Sequence, residues 1–256
     1  LALGCPADSE EPPATYVEDR EPCAQRDPLR RVLYGDLHVH TSFSFDAVNY
    51  GNRLSPADAY RFAKGESANL PPLDEEGTPT RPARLDRPLD FVAVTDHGEF
   101  LGEVAICLTP GMDGYDSATC QDFRSDSSNG AFDFGFLLSS ADPERFSDVC
   151  GDDGRRCLDA ALPRWQAMQA AAETHYDRTA ECRFTAFPAY EYSNTEEVSN
   201  LHRNVVFGHE VVPALPRTHM ESPTPLALWE GLEGDCESAG PGCDVIVLPH
   251  NSNLSN

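Results

Sequence analysis

Two histidines stand two residues apart in Asp36-Leu37-His38-Val39-His40-Thr41, after a short apolar run from Arg31 to Leu37 that reads as a buried strand. Alternation along a strand sends both imidazoles out on one face, where they can converge on one ion. Asp96-His97 follows a second such run, Leu89 to Val94, and Glu191 follows a third, Arg183 to Ala189. His202 stands just before Asn204 to Phe207, and His250 ends the run from Asp244 to Leu248. Neutral imidazoles with a carboxylate suit zinc, manganese or iron, and a carboxylate can bridge two ions. In α/β folds, residues distant in sequence meet in the loops beyond strand ends. The pattern therefore predicts a divalent-metal site drawn from His38, His40, His97, Glu191, His202 and His250. His175 on a helix, and His209 and His219 in or beside a loop, are assigned structural or solvent roles.

The elements that must position these residues alternate. Ser55 caps a predicted helix with Pro56 in its first turn, Asp58 three residues after the cap and Gly65 at its close, which makes a strand, helix, strand unit with the first two runs. Residues 66 to 88, rich in proline and charge, read as a loop. Residues 107 to 156, rich in Gly, Asp and Ser, read as an irregular insertion stapled by disulfides. Trp165, Met168, Ala172 and His175 recur at helical spacing from Pro163 to Tyr176, a helix covering a sheet. Strands alternating with helices indicate a mostly parallel sheet or barrel, and no internal repeat is evident.

Composition narrows the classes. The chain has 256 residues, a net charge of −24, and 40% hydrophobic residues, which suits a folded domain. Lys64 is its one lysine, so no basic patch exists to bind nucleic acid, and no apolar run approaches a membrane span. Residues 1 to 30 are acidic and proline-rich and read as a tether. The opening Leu1-Ala2-Leu3-Gly4-Cys5 resembles the end of a bacterial lipoprotein signal, in which Cys5 would carry lipid. An ordinary cysteine in a fragment is the alternative. Eight cysteines then remain for an oxidising compartment, and no Cys-x-x-Cys pair suggests a thiolate metal site. Proximity predicts Cys107–Cys120, Cys150–Cys157 and Cys236–Cys243, leaving Cys23 to Cys182.

Gly35-Asp36-Leu37-His38-Val39-His40-Thr41, Val94-Thr95-Asp96-His97 and the later Glu and His resemble the polymerase and histidinol phosphatase (PHP) superfamily. With the segments 59–66, Leu201-His202-Arg203-Asn204-Val205-Val206-Phe207 and 249–256, the chain from about residue 31 is similar to the family catalogued as domain of unknown function 3604. The superfamily resemblance implies a distorted (β/α)7 TIM-like barrel, here one PHP-like hydrolase domain over 31–256 with the 107–156 insertion. It also implies two or three divalent ions (Mn, Zn or Fe) and phosphoester hydrolysis. Residue by residue, His38 and His40 match the first motif, His97 the second, Glu191 the bridging carboxylate, and His202 and His250 later ligands. Asp46 falls where a further ligand is often found, or caps a turn. The superfamily's closing Asp-x-His has no counterpart before Asn256, so the resemblance implies a barrel cut at its C-terminus, an incomplete site and slow turnover by this chain.

The implied chemistry is metal-assisted hydrolysis of a small phosphoester or related anionic ester, without a side-chain nucleophile. Arg203 is the candidate to grip the oxyanion, with a structural ion pair as its alternative; Lys64 could do likewise or complement a helix dipole. Asp96 is expected to orient a ligand imidazole or to cap a turn. Two other readings compete with an exported, periplasmic or outer-surface hydrolase. One is a non-catalytic metal-containing barrel acting as a binding module. The other is an amidohydrolase-like enzyme, which would want a carbamylated lysine where Lys64 lies on a helix.

Overall fold

The computed structural model describes residues 18–25, 30–125, 129–140, 143–195 and 199–250. Strand β1 (Gly35–Val39) leads through the short helix α1 (Phe45–Asn49) into α2 (Pro56–Ala63). Helix α2 starts where expected: Ser55 Oγ accepts from the Asp58 amide while the Asp58 carboxylate accepts from the Ser55 amide, which satisfies two otherwise orphan donors. After β4 (Phe91–Val94) come α3 (Leu101–Leu108), α4 (Ala118–Phe123), α5 (Asn129–Leu137), α6 (Ser147–Cys150) and the long α7 (Arg155–His175). Then follow β5 (Thr185–Phe187), β6 (Ala189–Tyr192), β7 (Arg203–Phe207), α8 (Pro225–Ala239) and β8 (Val245–Pro249).

The expected TIM-like barrel does not form. Strands β1, β4 and β5 make a three-stranded parallel sheet in the order β1-β4-β5, and β6, β7 and β8 make a separate antiparallel sheet in that order. A parallel ring needs a crossover between successive strands. Here β5 and β6 are separated by Pro188 alone, β6 and β7 have no helix between them among the described residues, and α8 returns the chain antiparallel in β8. The alternating strand and helix pattern holds only through β5.

Residues 66–88 are also more ordered than their prolines suggest. They contain an antiparallel hairpin, β2 (Ala68–Leu73) with β3 (Pro79–Ala83), turned at Asp74–Thr78. In a two-stranded ribbon both strands are edges, so prolines need not interrupt a ladder on every side.

Two cores lie on either side of α7. The first packs α2, α7 and α8 against the strands through Tyr60, Trp165, Tyr190, Tyr192 and Phe207. The second fills the 107–156 region, which is not irregular: α3 to α6 enclose Phe100, Phe123, Phe134 and Val149. Helix α7 begins at Arg155, eight residues before the expected start, because Pro163 is accommodated inside it on an exposed side. Gly102 makes the contact of α3 with α7 possible, since a Cβ there would lie 1.9 Å from the Cys157 carbonyl oxygen.

All four expected disulfides are present: Cys23–Cys182, Cys107–Cys120, Cys150–Cys157 and Cys236–Cys243. They fit an oxidising, extracellular environment. Cys5 lies outside the described residues. Among the described residues no helix is long and apolar enough to cross a membrane.

Candidate metal centre

The two sheets meet at one point. Glu191 of β6 accepts a backbone bond from Gly98 and donates one to the Asp96 carbonyl, so its backbone bridges the chain at His97. This junction brings the ends of β1, β4, β6, β7 and β8 around a single carboxylate that is 1% exposed.

Five imidazoles surround it. On Glu191 Oε2, His38 Nε2 lies at 3.1 Å and His40 Nε2 at 2.7 Å. On Oε1, His202 Nδ1 lies at 2.6 Å, His250 Nε2 at 3.4 Å and His97 Nδ1 at 3.8 Å. Asp46 stands behind His40, its carboxylate 3.0 Å from Nδ1 and 3.7 Å from His97 Nε2. Every residue expected to bind metal therefore belongs to this cluster. Residues 36–39 reach it through a register shift in the β1–β4 pairing, which re-aims the strand end at the centre.

The donor set fits divalent cations. Five imidazoles offer more nitrogen than one carboxylate can satisfy, and His202 Nε2 and both ring nitrogens of His250 are buried without a hydrogen-bond partner. Two groups have ligating atoms within 4.8 Å of one another, His38-Glu191-His250 and His40-His97-Glu191. Both use Glu191, the geometry in which one carboxylate can serve two ions. A third group, Glu103 with Cys150 and Cys157, offers no thiolate because the two cysteines are joined to each other.

Electrostatics reinforce the arrangement. Burial works to raise the Glu191 carboxyl, but the charge of His97 and the adjoining rings of His202, His250 and His38 hold it well below the usual carboxylate range. Asp46 is held down likewise by His40 and His97 against its burial. Burial opposes a charge on His40, yet Asp46 and Glu191 outweigh it and push the imidazole up to about 10.

A cation bound at His40 would have to displace this proton. Metal uptake should release protons, and the apparent affinity should rise with pH by up to about tenfold per unit for each proton displaced. In the metal-free protein the His40 proton stabilises the fold fully below pH 6.5, and that contribution is lost as pH rises toward about 10. Calorimetry of metal binding in buffers of different ionisation enthalpy measures the release; binding heats independent of buffer would remove the competition.

Several supporting residues escaped the sequence reading. Ser193 hydrogen-bonds His97 Nδ1, and Glu99, buried behind it, accepts from the Ser193 amide at 2.8 Å. Burial, opposed by the charge of His97 and by backbone donors, pushes the Glu99 carboxyl up to about 7. Ser44 donates to Asp46 at 2.6 Å. Ser193 was legible in principle, being two residues beyond Glu191 and so on its face of the strand.

Asp96 is fully buried, and its carboxylate accepts from the Thr41 amide and hydroxyl, so it fixes the turn after His40 and touches no imidazole directly. Arg203 is not brought into the cluster. It pairs with Tyr192 across the ladder, whereas Glu191 pairs with Asn204, and alternation puts the two pairs on opposite faces. Its Nε donates to the Leu201 carbonyl and its guanidinium lies 5.7 Å from the Tyr192 ring centroid. Lys64 lies beyond α2, with Nζ 3.1 Å from His175 Nδ1. His219 is buried among Tyr192, Asn194 and the Ser140 carbonyl, and His209 follows β7 at the end away from His202.

Over residues 27–256 the chain matches the model of a family described as "Protein of unknown function (DUF3604)". No curated protein and no solved structure matches it.

Proposed function

Because the chain belongs to the DUF3604 family, whose description assigns no chemistry, we propose from its own residues that it is a metal-dependent hydrolase of a small phosphoester or related anionic ester. The observation that carries this reading is the sharing of Glu191 by two donor groups, His38 with His250 and His40 with His97. Divalent cations held there, manganese, zinc or iron, supply Lewis acidity toward water and toward the anionic ester. Glu191 holds the two donor groups together, Asp46 and Ser193 fix the rings of His40 and His97, and Asp96 anchors the turn between His40 and α1 through Thr41. The His38 side chain is 39% exposed, against 5–16% for the other four imidazoles, so the ester approaches from the His38 side.

The likeness to the PHP superfamily supports a phosphoester through motif and donor set, not through architecture. An amidohydrolase reading is disfavoured because Lys64, the sole lysine, pairs with His175 outside the cluster. The same reading has the protein exported, periplasmic or held at the surface by a lipid on Cys5, supported by the four disulfides and the lipoprotein-like opening.

Elemental analysis of protein purified from an oxidising compartment, followed by a panel of phosphate, sulfate and carboxylate esters, tests the proposal. Turnover lost with chelator and restored by manganese or zinc is expected. Full metal occupancy with no turnover across the panel would make the protein a metal-containing binding module instead.

A further inference from the structure

A cavity of about 350 Å³ borders the candidate metal centre, sharing His38 and His40 with it. It is lined by Asp36, His38 and His40 together with Phe62 of α2, Leu70 of the β2–β3 hairpin and Leu89 before β4. Phe62, Leu70 and Leu89 are only half-buried. Apolar side chains that line a cavity leave surface in water which an apolar occupant would cover, at about 25 cal/mol per Å². The occupant is set by continuity: His38 and His40 line the same space as these apolar residues, and His38 is the candidate ligand most open to solvent.

We propose that the ester's organic group is apolar, of about the size of a substituted aromatic ring, and that it sits in this cavity while its anionic head lies at His38 and His40. The proposal rests on the hydrolase reading above and names its substrate class. An apolar cavity of about 150 Å³ is enough for benzene, so one ring with a substituent suits the volume. A sugar or a polyphosphate chain would leave its polar groups against Phe62, Leu70 and Leu89 without partners, which is costly. The hairpin thereby gains a purpose, since Leu70 supplies a wall that α2 and β4 leave open.

The test compares two non-hydrolysable head groups by calorimetry on the metal-loaded protein. Phenylphosphonate should bind at least about tenfold more tightly than methylphosphonate. Leu70→Trp, which fills the cavity, should collapse that ratio toward unity while metal content stays at the wild-type level. Leu70→Asp, which makes the wall polar, should act in the same direction and serves if the tryptophan variant does not fold. Equal affinities in the wild type, or a preference unchanged in both variants, would overturn the proposal while leaving the hydrolase reading intact. If the protein binds neither metal nor phosphonate, the hydrolase reading fails, and phenol alone then probes the cavity by NMR titration. Saturable phenol binding lost in Leu70→Trp keeps the apolar cavity as a site; no binding removes it.

Discussion

Glu191→Gln should leave a folded protein that no longer holds metal. The substitution keeps the size of the side chain and removes the one charge that five imidazoles share. Loss of a residue supporting a ligand typically costs 10- to 100-fold in metal affinity, and loss of the shared ligand itself should cost more than about 100-fold. His38→Ala should cost less, because His40, His97 and His202 remain around the carboxylate. In the metal-free variant His40 keeps only Asp46 as an anionic partner, so its proton should leave at lower pH than in the wild type. Elemental analysis and calorimetry measure the first effect, and the His40 ring resonances the second. A Glu191→Gln protein with wild-type metal content would show that the cluster is a hydrogen-bonded core, not a metal centre.

Opening the disulfides is the other large expected effect. Cys107, Cys120, Cys150 and Cys157 are completely buried in the second core. By chain entropy, the Cys107–Cys120 bridge, spanning 13 residues, contributes about 3 kcal/mol, and Cys23–Cys182, spanning 159, contributes about 5 kcal/mol. A domain's net stability is typically about 5–15 kcal/mol, so full reduction should unfold most or all of the chain at physiological temperature. Cys107→Ala with Cys120→Ala should lower stability by about 3 kcal/mol and loosen α4 to α6 ahead of the sheets. Denaturant melts before and after reduction, with thiol content verified by mass, provide the measurement. A midpoint unchanged after complete reduction would show that packing around Phe100 and Phe134 holds this region unaided.

The residues of the cluster were legible because strand-end chemistry is local: a period of two aims His38 and His40 together, and each of the others directly adjoins or lies near an apolar run. The bridges were legible for the same reason, three being close neighbours and the fourth the remainder. What is set by distant packing was not. Helices α4 to α6 lie in a segment rich in Gly, Asp and Ser, whose weak helix propensity is overridden by burial of Phe123, Phe134 and Val149. Thr224 and Pro225 do carry a start signal for α8, a threonine cap followed by proline in the first turn. The barrel expectation failed at Pro188, where the sequence resembles one long strand and the chain in fact passes from one sheet to another. Of the two readings of Asp96, the turn cap holds through Thr41 and the contact with a ligand ring does not, because adjacency to His97 in sequence does not set the direction of a buried carboxylate.

That single proline between β5 and β6 makes the protein intolerant of length change at one place. Phe187 is counted in the register of the parallel sheet and Glu191 in that of the antiparallel one, with no loop between them to absorb an error. With no loop to take up the change, inserting or deleting one residue here would force one ladder to slip by one position, and a slip of β6 against β7 would exchange the faces of Glu191 and Tyr192. A phenol would then stand among the imidazoles and a carboxylate in the core that holds Tyr190 and Tyr192, destroying the centre and the core in one step. The 193–202 connection can vary in length without touching that parity, so natural variation in chain length should accumulate after Tyr192 and be excluded between Phe187 and Glu191.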